Sequence, residues 1–251
     1  MNIFKYSSPA TFYPLAGKMI PWFAALATIF AAIGLYAGPI AAPTDYQQGE
    51  VYRILYIHVP AAVLGMFIYL VMAAYGVMAL TFNTRLSAMM MEALAPTGAI
   101  LIGLALWTGS LWGKPTWGTY WVWDARVTST LILLFLYIGY MALVSAIEDK
   151  KRADKAGALL VIVGSVNIPI IHYSVTWWNT LHQGESFTVS AAPKMATSMF
   201  TPMLAIALAF WLYAVTISLM RVRSIILERE RGRALSAGWV ADALAAEGGK
   251  P

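Results

Sequence analysis

Cysteine is absent from the 251-residue chain. That excludes disulfides, thiolate metal sites and thiol redox chemistry. Charge is scarce: Asp, Glu, Lys and Arg make up 12% of the residues, against about 25% in an ordinary soluble domain. Histidine is rarer still, with only His58, His172 and His182. No GxxxxGK[ST] segment occurs, so any ATP use would belong to a partner. Internal repeats and low-complexity stretches are missing too. With 60% of its residues hydrophobic, the chain carries too much apolar side chain for one aqueous core, and the bilayer must be its solvent. The net charge of +5 does not point to nucleic acid, because the basic residues sit between apolar runs rather than on one soluble face.

Crossing ~30 Å of hydrocarbon takes ~20 apolar residues as a helix. Six such runs occur, at roughly 19–40, 60–81, 93–112, 127–147, 156–177 and 198–220. Backbone groups in lipid must be satisfied internally, which predicts an all-α membrane protein with six transmembrane helices. Lys and Arg set its orientation. Thirteen fall on one side, among them Lys5, Lys18, Arg85, Lys150, Lys151, Arg229 and Lys250, and four on the other: Arg53, Lys114, Arg126 and Lys194. Both termini are therefore expected in the cytoplasm. The first run also has small residues at Ala41-Ala42, as a cleaved signal peptide would. It is long for that, and its removal would spoil the charge pattern. The tail 221–251 is expected to be cytoplasmic, with Arg221 to Arg233 as a helix at the membrane surface. Gly34 and Gly38 form a GxxxG that predicts a close helix contact, with another subunit as one option.

The outward side receives a tryptophan-rich loop at 112–127, read as Trp117-Gly118-Thr119-Tyr120-Trp121-Val122-Trp123-Asp124-Ala125-Arg126. So many flat rings suit a large, flat, apolar ligand. Interface anchoring is the alternative, and it is the expectation for Trp22, Trp107, Trp112 and Trp211. Asp124 also reads as the N-cap of the fourth helix. Arg126 in that first turn opposes the helix dipole unless Asp124 or an external anion offsets it. His58 stands at the mouth of the second helix, with Pro60 read as a first-turn proline. His182 lies just past the fifth. One imidazole thus flanks each side of the tryptophan segment, as six-coordinate haem iron would require. A structural role for each histidine stays open. Arg53, Lys114, Arg126 and Lys194 are cations that would suit propionates. His172 lies inside the fifth run near Asn167 and Pro169. An interhelical hydrogen bond at a proline kink, a polar pocket wall and a replacement ligand all remain open for it.

The segment from Trp117 to Thr128 resembles the tryptophan-rich (WWD) signature of haem-handling proteins of cytochrome c biogenesis. Tyr46-Gln47-Gln48-Gly49, Tyr56-Ile57-His58-Val59-Pro60-Ala61-Ala62 and the stretch from Ile171 through His182 to Gly184 resemble the cytochrome c maturation protein C (CcmC) family. Val127 stands where Leu is usual, a conservative departure. The resemblance covers about residues 20–225 and implies haem b held at the periplasmic face of the inner membrane. Its implied axial ligands are His58 and His182, and its implied platform is Trp117, Trp121 and Trp123 beside Asp124. The implied partners are a periplasmic haem chaperone (CcmE-type), ABC transporter subunits (CcmA/CcmB-type) and a small single-span subunit (CcmD-type). The implied role is presentation of haem for covalent attachment, and no catalytic acid or base is evident. Rival classes are a haem b electron-transfer protein, which would bury its ligands between helices, and a transporter of haem, which would want repeat symmetry.

Overall fold

The computed structural model describes residues 6–178, 180–182, 195–233, 236–246 and 248. Lys5, Lys194, Lys250, Asn179 and the 183–185 part of the His182 motif lie outside these. The described residues are overwhelmingly helical: α1 (Pro9–Leu35), α2 (Leu55–Phe82), α3 (Arg85–Trp117), α4 (Ala125–Ala146), α5 (Lys150–Gly164), α6 (Asn167–Trp177), α7 (Thr197–Arg231) and α8 (Ala237–Ala246). A π turn, Tyr36–Ile40, prolongs α1, and a 3-10 turn, Glu50–Ile54, leads into α2. Six stretches are long and apolar enough to cross a membrane: Pro9–Ile40, Glu50–Phe82, Arg85–Trp117, Ala125–Ala146, Lys150–Trp177 and Thr197–Arg231. Each contains or overlaps one of the six apolar runs.

α3 is the most buried span and α1 the least. Around α3 the core holds Tyr69 and Tyr137, whose rings meet edge to face at 5.0 Å. The Tyr137 hydroxyl donates to the Gly65 carbonyl at 2.7 Å, tying α4 to α2. α1 packs mainly along α7. The GxxxG contact is therefore internal. A Cβ on Gly34 would come within 2.9 Å of the Ile206 backbone nitrogen on α7, so the small residue serves this chain's own packing.

Several helix ends differ from the sequence expectation. α2 begins at Leu55 rather than at 60, because Leu55 and Tyr56 are buried and extend the apolar face. Pro60 is thus inside the helix, where it removes the bond to the Tyr56 carbonyl. The fifth span is broken between α5 and α6 at Ser165 and Val166. Pro169 explains the break: it has no N–H, and its ring would clash with the Ser165 carbonyl. Asn167 supplies the interhelical bond at this kink, donating to the Ser129 carbonyl at 2.8 Å; His172 is not needed for it. The expected surface helix from Arg221 to Arg233 is instead the continuation of α7. Charged contacts hold it on the bundle. Arg229 pairs with Glu92 and Asp154, and Arg85 pairs with the buried Glu230.

Candidate ligand cavity at the tryptophan-rich end

α3 does not stop where hydrophobicity falls. It runs on to Trp117 and ends at Gly118, whose φ of 79° is left-handed and whose N–H bonds the Lys114 carbonyl at 3.0 Å. A non-glycine residue would be strained in that cap. α4 then starts at Ala125, capped by Asp124, whose carboxylate accepts the Val127 N–H at 2.8 Å. The connection is therefore short, and Trp117 is helical rather than in a loop.

Around this connection the helix ends leave a mostly apolar cavity of about 710 Å³. His58, His172, His182, Trp117 and Trp121 all line it, as do Asp124 and Arg126. The sequence had separated these residues by more than a hundred positions.

His58 occupies the first turn of α2. Its Nδ1 lies 2.9 Å from the Ala105 carbonyl oxygen and 3.2 Å from Thr108 Oγ1. The Thr108 hydroxyl donates to the Leu104 carbonyl at 2.7 Å, so it too offers an acceptor. A carbonyl only accepts, so Nδ1 must carry the proton and Nε2 keeps its lone pair. Such a bond fixes the tautomer and orientation of metal-binding histidines. Trp112 backs the ring, edge to face with centroids 5.7 Å apart. Its indole N–H donates to Gln48 Oε1 at 2.8 Å. Asp45 fixes Gln48 in turn, its carboxylate accepting the N–H groups of Gln47 and Gln48. Gly109 leaves room for the imidazole, since a Cβ there would lie 2.9 Å from His58 Cε1.

His182 meets Trp117, ring centroids 5.1 Å apart. Burial and then the nearby Arg126 cation hold its imidazole below the ordinary histidine pKa, with Asp124 opposing. The neutral form is thereby favoured. Among the described residues, two polar atoms of cavity-lining side chains, Trp121 Nε1 and Asp124 Oδ2, are buried without a partner. Buried polar groups are nearly always paired, and both residues face this cavity.

Arg126 spans to α6, donating to Ser174 Oγ at 3.1 Å and to the His172 carbonyl at 3.2 Å. That engagement offsets its misplacement against the α4 dipole. Arg53 and Lys114 are turned elsewhere. Arg53 pairs with Glu50 and donates to the Gly38 carbonyl. Lys114 donates to the Gly118 carbonyl and sits over Tyr120. Neither lines the cavity, and nor does Trp123, which packs on Trp121 and is 74% exposed. His172 lines the wall beside Tyr173, their rings edge to face. Trp22 and Trp107 are exposed as anchors should be. Trp112 is not such an anchor, because its indole N–H and ring face are both spent inside the protein. Gln48, Ala105, Thr108 and Gly109 were also missed as functional candidates. The available signal was helical spacing: Ala105, Gly109, Trp112 and Thr116 recur on one face of α3.

Residues 2–237 match the family described as "Heme exporter protein C". The chain belongs to that family. Relatives bearing the same name include those of Escherichia coli K12, 44% identical over 96% of both chains. That of Bradyrhizobium diazoefficiens is 46% identical over 91% of this chain and 87% of its own. That of Haemophilus influenzae is 43% identical over 91% and 93%. Membership extends over all six spans, so the cavity and both its imidazole-bearing walls fall within the shared region.

Proposed function

We propose that this haem exporter C family member holds haem in the cavity at the outer face of the bacterial inner membrane. It presents the haem to a periplasmic chaperone for covalent attachment during cytochrome c maturation. The carrying observation is His58: a backbone carbonyl fixes its protonated nitrogen and leaves the other nitrogen as a donor on an apolar cavity shared with His182. Two imidazoles complete an iron whose equatorial positions are filled by the porphyrin. A cavity of about 710 Å³ lies within the roughly 300–1,000 Å³ usual for cofactor sites. His58 and His182 would ligate, while Trp117 and Trp121 would flank the ring. Trp121 Nε1 and Asp124 Oδ2 would gain partners from the ligand or its waters, and Arg126 is the cation best placed for a propionate. Trp123, exposed at the rim, would face the chaperone. An ABC-type pair and a single-span subunit complete the proposed assembly. Cells lacking this protein should lose the chaperone–haem adduct; adduct at normal levels would overturn presentation.

Two further outcomes follow from the same geometry. Gly109→Ala should push the His58 ring out of register, weakening haem binding by about 10–100-fold, the usual effect of disturbing a ligand's supporting shell. Haem titration of the purified variant checks this. Haem binding should also resist acid. Ligation needs neutral imidazole, and an ordinary histidine protonates near pH ~6.5. The lowered value of His182 keeps that side competent below ~6.5, with release as pH falls through the lowered value. A spectral pH titration with its midpoint at or above ~6.5 would contradict this.

A further inference from the structure

At the opposite end of the bundle a second cavity, of about 680 Å³, opens between the α2–α3 turn and the starts and ends of α3, α5 and α7. Six cations line it: Arg85, Lys150, Lys151, Lys155, Arg229 and Arg233. Three carboxylates face them, those of Asp154, Glu228 and Glu230. Two of the three are already committed. Glu230 pairs with Arg85 and accepts the Ser236 hydroxyl at 2.6 Å. Asp154 receives both 2.9 Å bonds from Arg229, and Lys150 acts on it at longer range. Glu228 is left to balance Lys150, Lys151, Lys155 and Arg233, none of which makes an ion pair among the described residues. Lys150 and Lys151 also open α5, where the helix dipole disfavours cations. A surplus of charge so arranged is stabilised by an anion.

The surroundings say which anion. Ala79 and Leu80 line the cavity itself, and farther along the same helices exposed apolar side chains follow: Val77 on α2, Leu159 and Val163 on α5. A charged pocket at a span's end, bordered by exposed apolar side chains, fits a molecule with an anionic head and apolar tails. We infer that this cavity binds the phosphate headgroup of an anionic phospholipid, its acyl chains lying along α2 and α5. Basic pockets between membrane helices recognise such headgroups by charge.

The test uses the purified full chain, delipidated and titrated with phosphatidylglycerol, phosphatidylcholine or inorganic phosphate, with bound lipid read by native mass spectrometry. Phosphatidylglycerol should bind at least tenfold more tightly than phosphatidylcholine. The triple variant Lys150→Gln, Lys151→Gln, Lys155→Gln should lose roughly 100-fold, about fivefold per cation near a membrane surface. The triple Lys→Arg variant should recover most of this. Haem binding at the far cavity serves as the folding control. Unaltered phosphatidylglycerol affinity in the glutamine variant, or equal affinity for the two lipids, would overturn the site. Displacement of lipid by millimolar inorganic phosphate would overturn a lipid as its occupant.

Discussion

His58→Ala and His182→Ala should each convert a six-coordinate, low-spin haem spectrum into a five-coordinate or weakly bound one. Disturbing a ligand's supporting partner alone costs about 10–100-fold in affinity, so losing the ligand should cost more than about 100-fold. The two variants should differ in how they can be rescued. His58→Gly leaves a slot between Ala105, Thr108 and Gly109, with two acceptors waiting at Nδ1 distance. Free imidazole should enter it and restore the low-spin spectrum. His182 is held through Trp117 and by its backbone N–H to Thr180 Oγ1 at 3.1 Å; among the described residues its side chain leaves no comparable hydrogen-bonded slot, and rescue should be poorer. Visible spectra with and without imidazole measure both. Unchanged low-spin spectra in both alanine variants would sink the ligand assignment, and His172 on the same wall would be the next to replace.

Tryptophan substitutions should separate into two phenotypes. Trp117→Ala and Trp121→Ala remove rings from the cavity wall. Withdrawing a large aromatic contact is worth about 2 kcal/mol, or about 30-fold in haem affinity for each. Trp123→Ala removes a ring that is 74% exposed and off that wall. It should leave haem affinity within about twofold while adduct formation on the chaperone falls severalfold. Titration and adduct trapping, run on the same three variants, decide this. Equal losses of adduct and protein level in all three would return these residues to membrane anchoring.

How much of this was legible follows from what each kind of residue must do. The six spans were readable because lipid demands long apolar helical stretches, and six were found. Their ends were not, because helices persist past the hydrocarbon when side chains find partners. Arg229 with Glu92 and Asp154 carries α7 about 10 residues beyond residue 220, and no local pattern announces a pairing with α3 and α5. Pro169 pointed to a kink, yet the hydrogen bond there belongs to Asn167. In the cavity, His58, His182, Trp117 and Trp121 stood out by rarity or clustering. Trp112 looked like an ordinary interface ring, because only the fold shows Gln48 reaching its N–H across 64 positions. Arg53 and Lys114 had the right charge and lie near the right end of the bundle, but sign alone says nothing of where a side chain points.

The bond that His58 Nδ1–H donates to the Ala105 carbonyl makes the two proposed axial positions unequal. One imidazole is anchored to the main chain, and no side-chain substitution at position 105 removes that carbonyl. The other sits among Arg126, Asp124 and Trp117, each replaceable. The iron's reduction potential, set partly by how basic its axial ligands are, should therefore be inherited on one side and adjustable on the other. Tuning of a haem bound here would act through His182's neighbours, with His58 as the fixed reference against which that tuning is made.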